Sequence, residues 1–485
     1  MNLRFVSKIV GVVLCAVSLS MIPSFLISLY YDDGATVAFL AAMLAGYLIG
    51  NPLAFQRIKE NDRMHIRDGF AAVAGCWLCL SVLCALPYWF SGAIPHIWDA
   101  LFESASGLTT TGASILTEIE GLPQSILFWR SFTQFLGGMG VLVLMLALLP
   151  SLGAGSAYLM RAESPGPIKN KLVPKIGQSA KILYTIYLIL LTAETICLKI
   201  AGMTWFDSIC HAMATVSTGG FSTKNASIAH FDSLAVDWIV IIFMFLSGVS
   251  FSLLFLATVR KKHETFRKDE ELRLYTGAVV CSSAVIVAAL IWQNDMDYSF
   301  HLLTDVVFQV VSLITSTGFA TADFALWPTV TQCVLLLLML MGGCAGSTAG
   351  GVKPVRVLLL HKLLRRTVNK VIHPRRVNTI CLNGKRVEEE TLSTVCVFFF
   401  AYIALLGLGT FIISLDDFGM TASFSAALTS LSNIGPGLDV VGPCSNFSML
   451  SPFSKLTMSA LMLTGRLEIL PVLVLLTPSV WTQKT

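Results

Sequence analysis

A chain of 485 residues that is 55% hydrophobic and only 13% charged lacks the polar surface of a water-soluble globule and belongs in a bilayer. Its net charge of +4 says little until the basic residues are placed, and no stretch between the apolar runs is long enough for a separate soluble domain. The 12 cysteines are scattered through apolar stretches, so no disulfide framework is implied.

In chain order, residues 5 to 30 and 35 to 55 read as two helices joined by the turn Tyr30-Tyr31-Asp32-Asp33-Gly34. Arg4 and Lys8 ahead of the first could mimic a secretory leader. A second span follows at once and no small-x-small cleavage site intervenes, so a retained helix is expected. Four units then follow with one plan: a helix (about 69 to 91, 179 to 202, 272 to 293 and 391 to 415), a short amphipathic stretch, and a second helix (about 125 to 150, 235 to 259, 327 to 361 and 454 to 481). The short stretches of about 10 residues cannot cross a ~30 Å hydrocarbon layer at ~1.5 Å per residue, so they dip in and return. Ten spanning helices and four re-entrant ones result. Expected boundaries are 1–66 for the accessory pair, then 67–177, 178–268, 269–388 and 389–485 for the four units.

The basic residues orient this arrangement. Of 33 Lys and Arg, 25 fall in 57–67, 161–181, 260–273 and 353–386, whereas Arg130, Lys199, Lys224 and Lys455 fall on the other side. The positive-inside rule then puts both termini in the cytoplasm.

Each short stretch ends in a related motif: Leu108-Thr109-Thr110-Thr111-Gly112, Val216-Ser217-Thr218-Gly219-Gly220, Ile314-Thr315-Ser316-Thr317-Gly318 and Leu431-Ser432-Asn433-Ile434-Gly435, with the final glycines 108, 98 and 117 residues apart. Aligned on those glycines, the residue four before is always aliphatic and the residue three before always carries a hydroxyl. Thirteen before stand Asp99, Asp207, Asp305 and Ala422, the three carboxylates being expected to cap free N–H groups of the short helices. Irregular backbone at membrane depth occurs where it is buried in protein or lines a water path. Glycine lets carbonyls turn toward an axis, and a ring of neutral oxygens can replace the hydration shell of a large alkali cation. The expected filter comprises Thr110, Thr111, Gly112, Thr218, Gly219, Gly220, Thr317, Gly318, Asn433, Ile434 and Gly435, with K+ as its metal. Thr109, Ser217, Thr315 and Ser432 are expected to add an oxygen or pin the loops. Close packing of small residues is the plainer alternative.

These motifs, with FLGGMG (135–140), GGFSTKNAS (219–227), GGCAGSTAGGVK (342–353) and TGRLEILPVLVLLTP (464–478), resemble those of the membrane subunit of bacterial Trk-type potassium uptake systems, in the wider Trk/Ktr/HKT superfamily. The resemblance implies an all-α polytopic membrane protein, with four helix, re-entrant pore loop, helix repeats around a central ion pore and two extra N-terminal helices. It also implies potassium uptake across the bacterial inner membrane, a cytoplasmic regulatory subunit that binds nucleotide or NAD, and a homodimer. Nothing points to nucleic acid. Glycine rather than serine at Gly112 favours potassium, while Pro436 and Asn433 suggest a geometrically distinct fourth quarter.

Five glycines interrupt the third unit's second helix at Gly342, Gly343, Gly346, Gly350 and Gly351, each costing up to ~1 kcal/mol in a helix interior. With Ser347 and Thr348 they are expected to form a mobile loop, which the resemblance makes an intramembrane gate; a static kink is the plainer reading. The basic stretch from His361 to Arg386 suits topology, anionic lipid or a docking partner. Arg466, roughly 20 Å into its helix if that helix starts near Phe453, is expected either to pair with Glu468 or the loop carbonyls, or to border the pore as a fixed positive barrier.

Two other function classes fit the residues less well. An ion-coupled secondary transporter, moving K+ with H+ or Na+, would more often show inverted repeats and a midplane ionisable site. An intramembrane enzyme would need a polar constellation, and only His211 with Cys210 and Asp207 approaches one. No GxxxxGK[ST] loop is present, so nucleotide would act through a partner.

Overall fold

The computed structural model describes residues 2–56, 66–138, 140, 176–259, 263–294, 299–375 and 378–477. The described residues are mostly helical. Helices α1 (Leu3–Ser20), α2 (Ile22–Tyr31) and α3 (Thr36–Ala54) form the N-terminal pair, α1 and α2 breaking only at Met21. The pair holds by backbone proximity: a Cβ on Gly11 would lie 2.6 Å from the Gly50 carbonyl, and one on Gly50 would lie 2.9 Å from that of Gly11. Small residues let apolar helices approach this closely where lipid offers no hydrophobic drive. Asp33 in the turn between α2 and α3 accepts from the Ser125 N–H at 2.9 Å, tying the pair to the first repeat.

The repeats follow. The first has α4 (Ile66–Phe90), α5 (Ile97–Leu108) and α6 (Gln124–Gly138), and the second α7 (Ile176–Ile200), α8 (Trp205–Val216), α9 (Leu234–Ser247) and α10 (Phe251–Thr258). Helix α11 (His263–Lys268) leads into the third, with α12 (Glu270–Asn294), α13 (Phe300–Ile314), α14 (Thr329–Met341) and α15 (Pro354–Ile372). The fourth has α16 (Glu389–Ile413), α17 (Met420–Ser432), α18 (Pro452–Arg466) and α19 (Leu470–Leu476). Helices α5, α8, α13 and α17 are the re-entrant ones. Their C-terminal halves are buried all round, as in Phe102 to Leu108 of α5 and Ser425 to Ser432 of α17, so protein surrounds them.

Several of the expected spans are broken. Among the described residues six helices are long and apolar enough to cross a membrane, or seven if the bent pair α9 and α10 counts as one. The second helices of the repeats are the ones that break. The expected helix over 235 to 259 bends by 100° between α9 and α10, at Gly248, where a Cβ would lie 2.6 Å from the Tyr275 hydroxyl and 2.8 Å from Thr315 Cγ2. The third breaks across the glycine run, with positive φ at Gly342, Gly346, Gly351 and Lys353. The fourth, expected as one helix over 454 to 481, breaks at Glu468 and Ile469, whose φ of 54° and 64° lie outside the right-handed helical region. The first is helical to Gly138; its expected continuation to 150, the basic stretches 57–65 and 161–175, and residues 478–485 lie outside the described residues.

Beyond α15, Cys381–Leu382 and Lys385–Arg386 pair as a small hairpin around Asn383 and Gly384, both at positive φ, the Asn-Gly signature of a two-residue turn. The basic segment is anchored at its root. Lys362 pairs with Glu270, and Arg366 pairs with Glu389 at 2.5 Å.

Candidate functional site

The four re-entrant helices end in one way. In α5 the N–H of Thr110 bonds back to the Gly107 carbonyl and that of Thr111 to Ser106, at 3.0 and 2.8 Å. The same two bonds run from Thr218 and Gly219, from Ser316 and Thr317, and from Asn433 and Ile434. This closure needs a left-handed residue just past the helix, and Thr110, Thr218, Ser316 and Asn433 supply it with φ of 57°, 56°, 56° and 55°. Two residues on, φ is again positive at Gly112, Gly220, Gly318 and Gly435. Asn433 therefore does not make the fourth loop's helix end distinct. That quarter differs at its glycine, where φ is 100° against 76° to 84° elsewhere.

The four glycines meet the neighbouring loop in a closed cycle. A Cβ on Gly112 would lie 2.2 Å from the Gly219 carbonyl, on Gly220 2.0 Å from that of Thr317, on Gly318 2.0 Å from that of Ile434, and on Gly435 2.8 Å from that of Thr111. Each loop thus presses backbone against backbone on the next. The first three glycines are half-buried while the residues just before them are buried, so the ring is reached from one end.

The hydroxyl column pins helix ends. Thr109 donates to Ala105 at 2.6 Å, Thr315 to Val311 at 2.7 Å and Ser217 to Ala214 at 3.1 Å, all carbonyls of their own helices. Ser432 lies 2.6 Å from the Tyr402 hydroxyl. The expected aspartate caps are replaced in α8 and α13. Thr204 and Ser299 cap α8 and α13, and Asp305 lies beyond the first turn of α13. Asp99 and Asp207 stay in the first turns of α5 and α8 and also reach outward: Asp99 accepts from Lys455 at 2.7 Å, and Asp207 accepts from the cap residue Thr204 at 2.7 Å and from the Thr223 hydroxyl at 2.6 Å. His211 bonds to Ser222 at 2.9 Å through Nε2 and to the Asp207 carbonyl at 2.8 Å through Nδ1. It faces a loop, not a reactive cluster.

The glycine run lies against the buried side of this ring. The N–H of Gly350 donates to Ser316 Oγ at 2.7 Å, and a Cβ on Gly350 would lie 2.1 Å from the Ser432 carbonyl. Thr348 donates to the Val216 carbonyl at 3.2 Å. Gly343 packs on Gly248, whose carbonyl accepts from Cys344 N–H at 2.9 Å. Phe251 N–H donates to the Gly346 carbonyl at 3.0 Å, so elbow and loop are stitched together. Ser347 closes a local turn on Cys344, and Gly342 and Gly351 abut each other, a Cβ on Gly351 reaching 2.8 Å from Gly342 Cα.

Arg466 sits at the convergence. Its guanidinium donates to the Thr348 carbonyl at 2.8 Å and to the carbonyls of Gly137 and Gly138. Of the expected partners, the loop carbonyls are the ones it meets. Glu468 instead takes Lys353 at 2.9 Å and Arg356, joining the loop's exit to the fourth elbow. A Cβ on Gly465 would lie 2.1 Å from the Leu431 carbonyl, so α18 passes the end of α17 at backbone contact.

Ser316 belongs with Thr110, Thr218 and Asn433, and its column in the sequence marked it; Thr317 and Gly318 alone leave the third motif incomplete. Gln134 was not legible. Its Nε2 donates to the Gly219 carbonyl and its Oε1 accepts from Phe221 N–H at 3.1 Å, a contact between repeats that no local pattern announces.

Comparison with known proteins agrees with this architecture. The TrkH cation transport protein family model matches residues 35–292 and 297–482. The chain belongs to the TrkH cation transport family. It is 40% identical over 491 residues to the Trk system potassium uptake protein TrkH of Escherichia coli K12, covering all of both chains. It is 34% identical to TrkG of the same organism, covering 99% of each. The crystal structure of the potassium transporter TrkH from Vibrio parahaemolyticus superposes with a TM-score of 0.88 at 35% identity, covering 99% of this chain and 100% of that one. TrkH-family chains are transport proteins rather than enzymes, and the fold of this one is the four-repeat, pore-centred helical membrane fold with two added N-terminal helices.

Proposed function

We propose that this chain conducts potassium into the cell through the ring formed by residues 110–112, 218–220, 316–318 and 433–435. The observation that carries the reading is the closed cycle of four glycines, each fitted to the next loop's carbonyl. Four helices ending at the ring with their partially negative C-termini favour a cation there, and backbone carbonyls with fixed spacing can replace its hydration shell. K+ is the transported ion in this reading. The curated relatives named as potassium uptake proteins support it.

Below the ring, Gly342 to Gly351 with Ser347, Thr348 and Arg466 act as the gate. The loop is held by bonds to two of the four re-entrant helix ends, by close backbone contact with a third and by one arginine, a set that movement of one segment would release together. A cytoplasmic regulatory subunit that binds nucleotide or NAD docks on the basic face around His361 to Arg386, and the protein works as a homodimer in the bacterial inner membrane with both termini cytoplasmic. Orientation rests on the distribution of Lys and Arg.

The test is rubidium uptake into liposomes holding this chain alone. Uptake that excess potassium abolishes and equal sodium leaves largely intact is expected; flux equally sensitive to both ions would defeat the filter reading.

A further inference from the structure

The loops beyond the four glycines are held from behind by one register position. Nine residues before Gly112, Gly220, Gly318 and Gly435 stand Glu103, His211, Gln309 and Ala426. Glu103 accepts from the Ser114 hydroxyl at 3.0 Å and the Ile115 N–H at 3.1 Å. His211 bonds to Ser222 at 2.9 Å. Gln309, with its amide oriented to satisfy both partners, accepts from the N–H groups of Thr321 and Ala322 at 2.9 and 3.1 Å. In the fourth repeat Ala426 cannot do this, and the adjacent Ser425 takes over, accepting from Leu438 N–H at 3.0 Å. One position, filled by a carboxylate, an imidazole and an amide, thus props three loops.

The second repeat's prop meets its neighbour through a ring contact, His211 lying 5.8 Å from the Phe319 ring; the first repeat's does so through an ion pair. Arg130 donates to Glu103 at 2.9 Å, to Ser114 Oγ at 3.2 Å and to the Ser222 carbonyl of the second repeat at 3.1 Å, and it lies 4.2 Å over the Phe221 ring. Arg130 and Glu103 are 1% and 0% exposed. A guanidinium presents several donors in a rigid plane, so this one side chain fixes the distance between the first and second loops, where Gly112 meets the Gly219 carbonyl. A buried ion pair is weak evidence for stability, because desolvation offsets its attraction. Its use here is geometric.

We infer that Glu103 and Arg130 are positioning residues that fix the junction of the first and second loops and thereby set the discrimination of the ring against sodium. The inference rests on the filter reading above and assigns it a determinant outside the ring. A ring that can contract around a smaller ion loses its preference for the larger one, and the pair opposes that contraction at one of four junctions.

The test is rubidium uptake with sodium as competitor for Glu103→Gln, Arg130→Lys and the double variant Glu103→Gln with Arg130→Gln, which leaves no unpaired buried charge. Folded protein is scored by monodisperse yield in detergent. The expected result is retained rubidium flux with sodium competing at roughly tenfold lower concentration in the double variant, and Arg130→Lys falling between it and the parent. A folded double variant with the parent's sodium competition overturns the inference. So does the absence of any folded variant, since the pair would then hold the fold rather than tune the ring. Gly112→Ser, run in parallel, separates the two readings: if it too leaves sodium competition unchanged, the filter reading itself fails.

Discussion

Asn433 Nδ2 donates to the hydroxyl of Thr111 at 3.0 Å, joining residues 322 positions apart. The same amide nitrogen donates to the Met462 carbonyl at 2.9 Å, so one side chain links the last loop to the first and to α18. The cycle of glycine contacts is widest at this junction, 2.8 Å from Gly435 against 2.0 to 2.2 Å elsewhere, and the amide spans it. Asparagine suits the post because it tolerates the left-handed backbone that position requires.

Replacing Asn433 by Ala removes both bonds and leaves a side chain that resists a φ of 55°. The expected loss is about 3 kcal/mol, combining ~1 kcal/mol for each of the two hydrogen bonds with ~1 kcal/mol for the left-handed residue. Asn433→Gly should recover the backbone part. Thermal unfolding in detergent for the two variants measures this, and equal loss in both would remove the backbone argument.

Gly112→Ser should raise sodium competition. Any Cβ there meets the Gly219 carbonyl at 2.2 Å, and the backbone at φ 84° favours glycine, so the first two loops must separate. Sodium-dependent inhibition of rubidium uptake is the readout, with a shift of several-fold expected.

Shortening the run between Gly343 and Gly350 should increase flux several-fold while leaving ion preference in place. The bonds from Gly350 to Ser316 and from Thr348 to Val216 hold the loop against the ring's buried side, and without them the path beneath is cleared. A well-inserted deletion with lower flux would show the run to be a fixed kink instead.

Arg466→Ala should also raise flux, because a positive charge beside the glycine run is removed and the Thr348 carbonyl is freed. The cost is three carbonyls left without this donor, charged hydrogen bonds contributing about 1.5–3 kcal/mol each in general. Arg466→Gln keeps a donor without charge and distinguishes the two effects. If flux rises in Ala and Gln alike, the charge is the barrier; if only in Ala, the tether to the loop is.

Gly465→Ala is expected to lower folded yield sharply, since the added methyl would sit 2.1 Å from the Leu431 carbonyl, backbone that cannot rotate away. Yield after detergent extraction, compared with Gly407→Ala where nothing lies within 4 Å, gives the measure.

The repeated motif was legible because its cause is local. A helix that ends on a left-handed residue, followed two positions later by glycine, is written within five residues, and hydroxyl and glycine columns expose it in all four copies. Membrane class and repeat number follow from composition and from runs too short to cross. Breaks in the second helices were legible only where glycine is dense, as at Gly342 to Gly351. The elbow at Glu468 and Ile469 is followed by Pro471, which opens the next helix and suits a helix start. What no local pattern announces is its partner set, since Glu468 meets Lys353 and Arg356 more than a hundred residues away. The tertiary structure alone decided that Asp99 answers Lys455, that Arg466 reaches the loop carbonyls rather than Glu468, and that Gly435 closes on Thr111. Buried charges and backbone groups take whichever partner the packing brings near, and pattern along one chain does not encode which segment will be the neighbour.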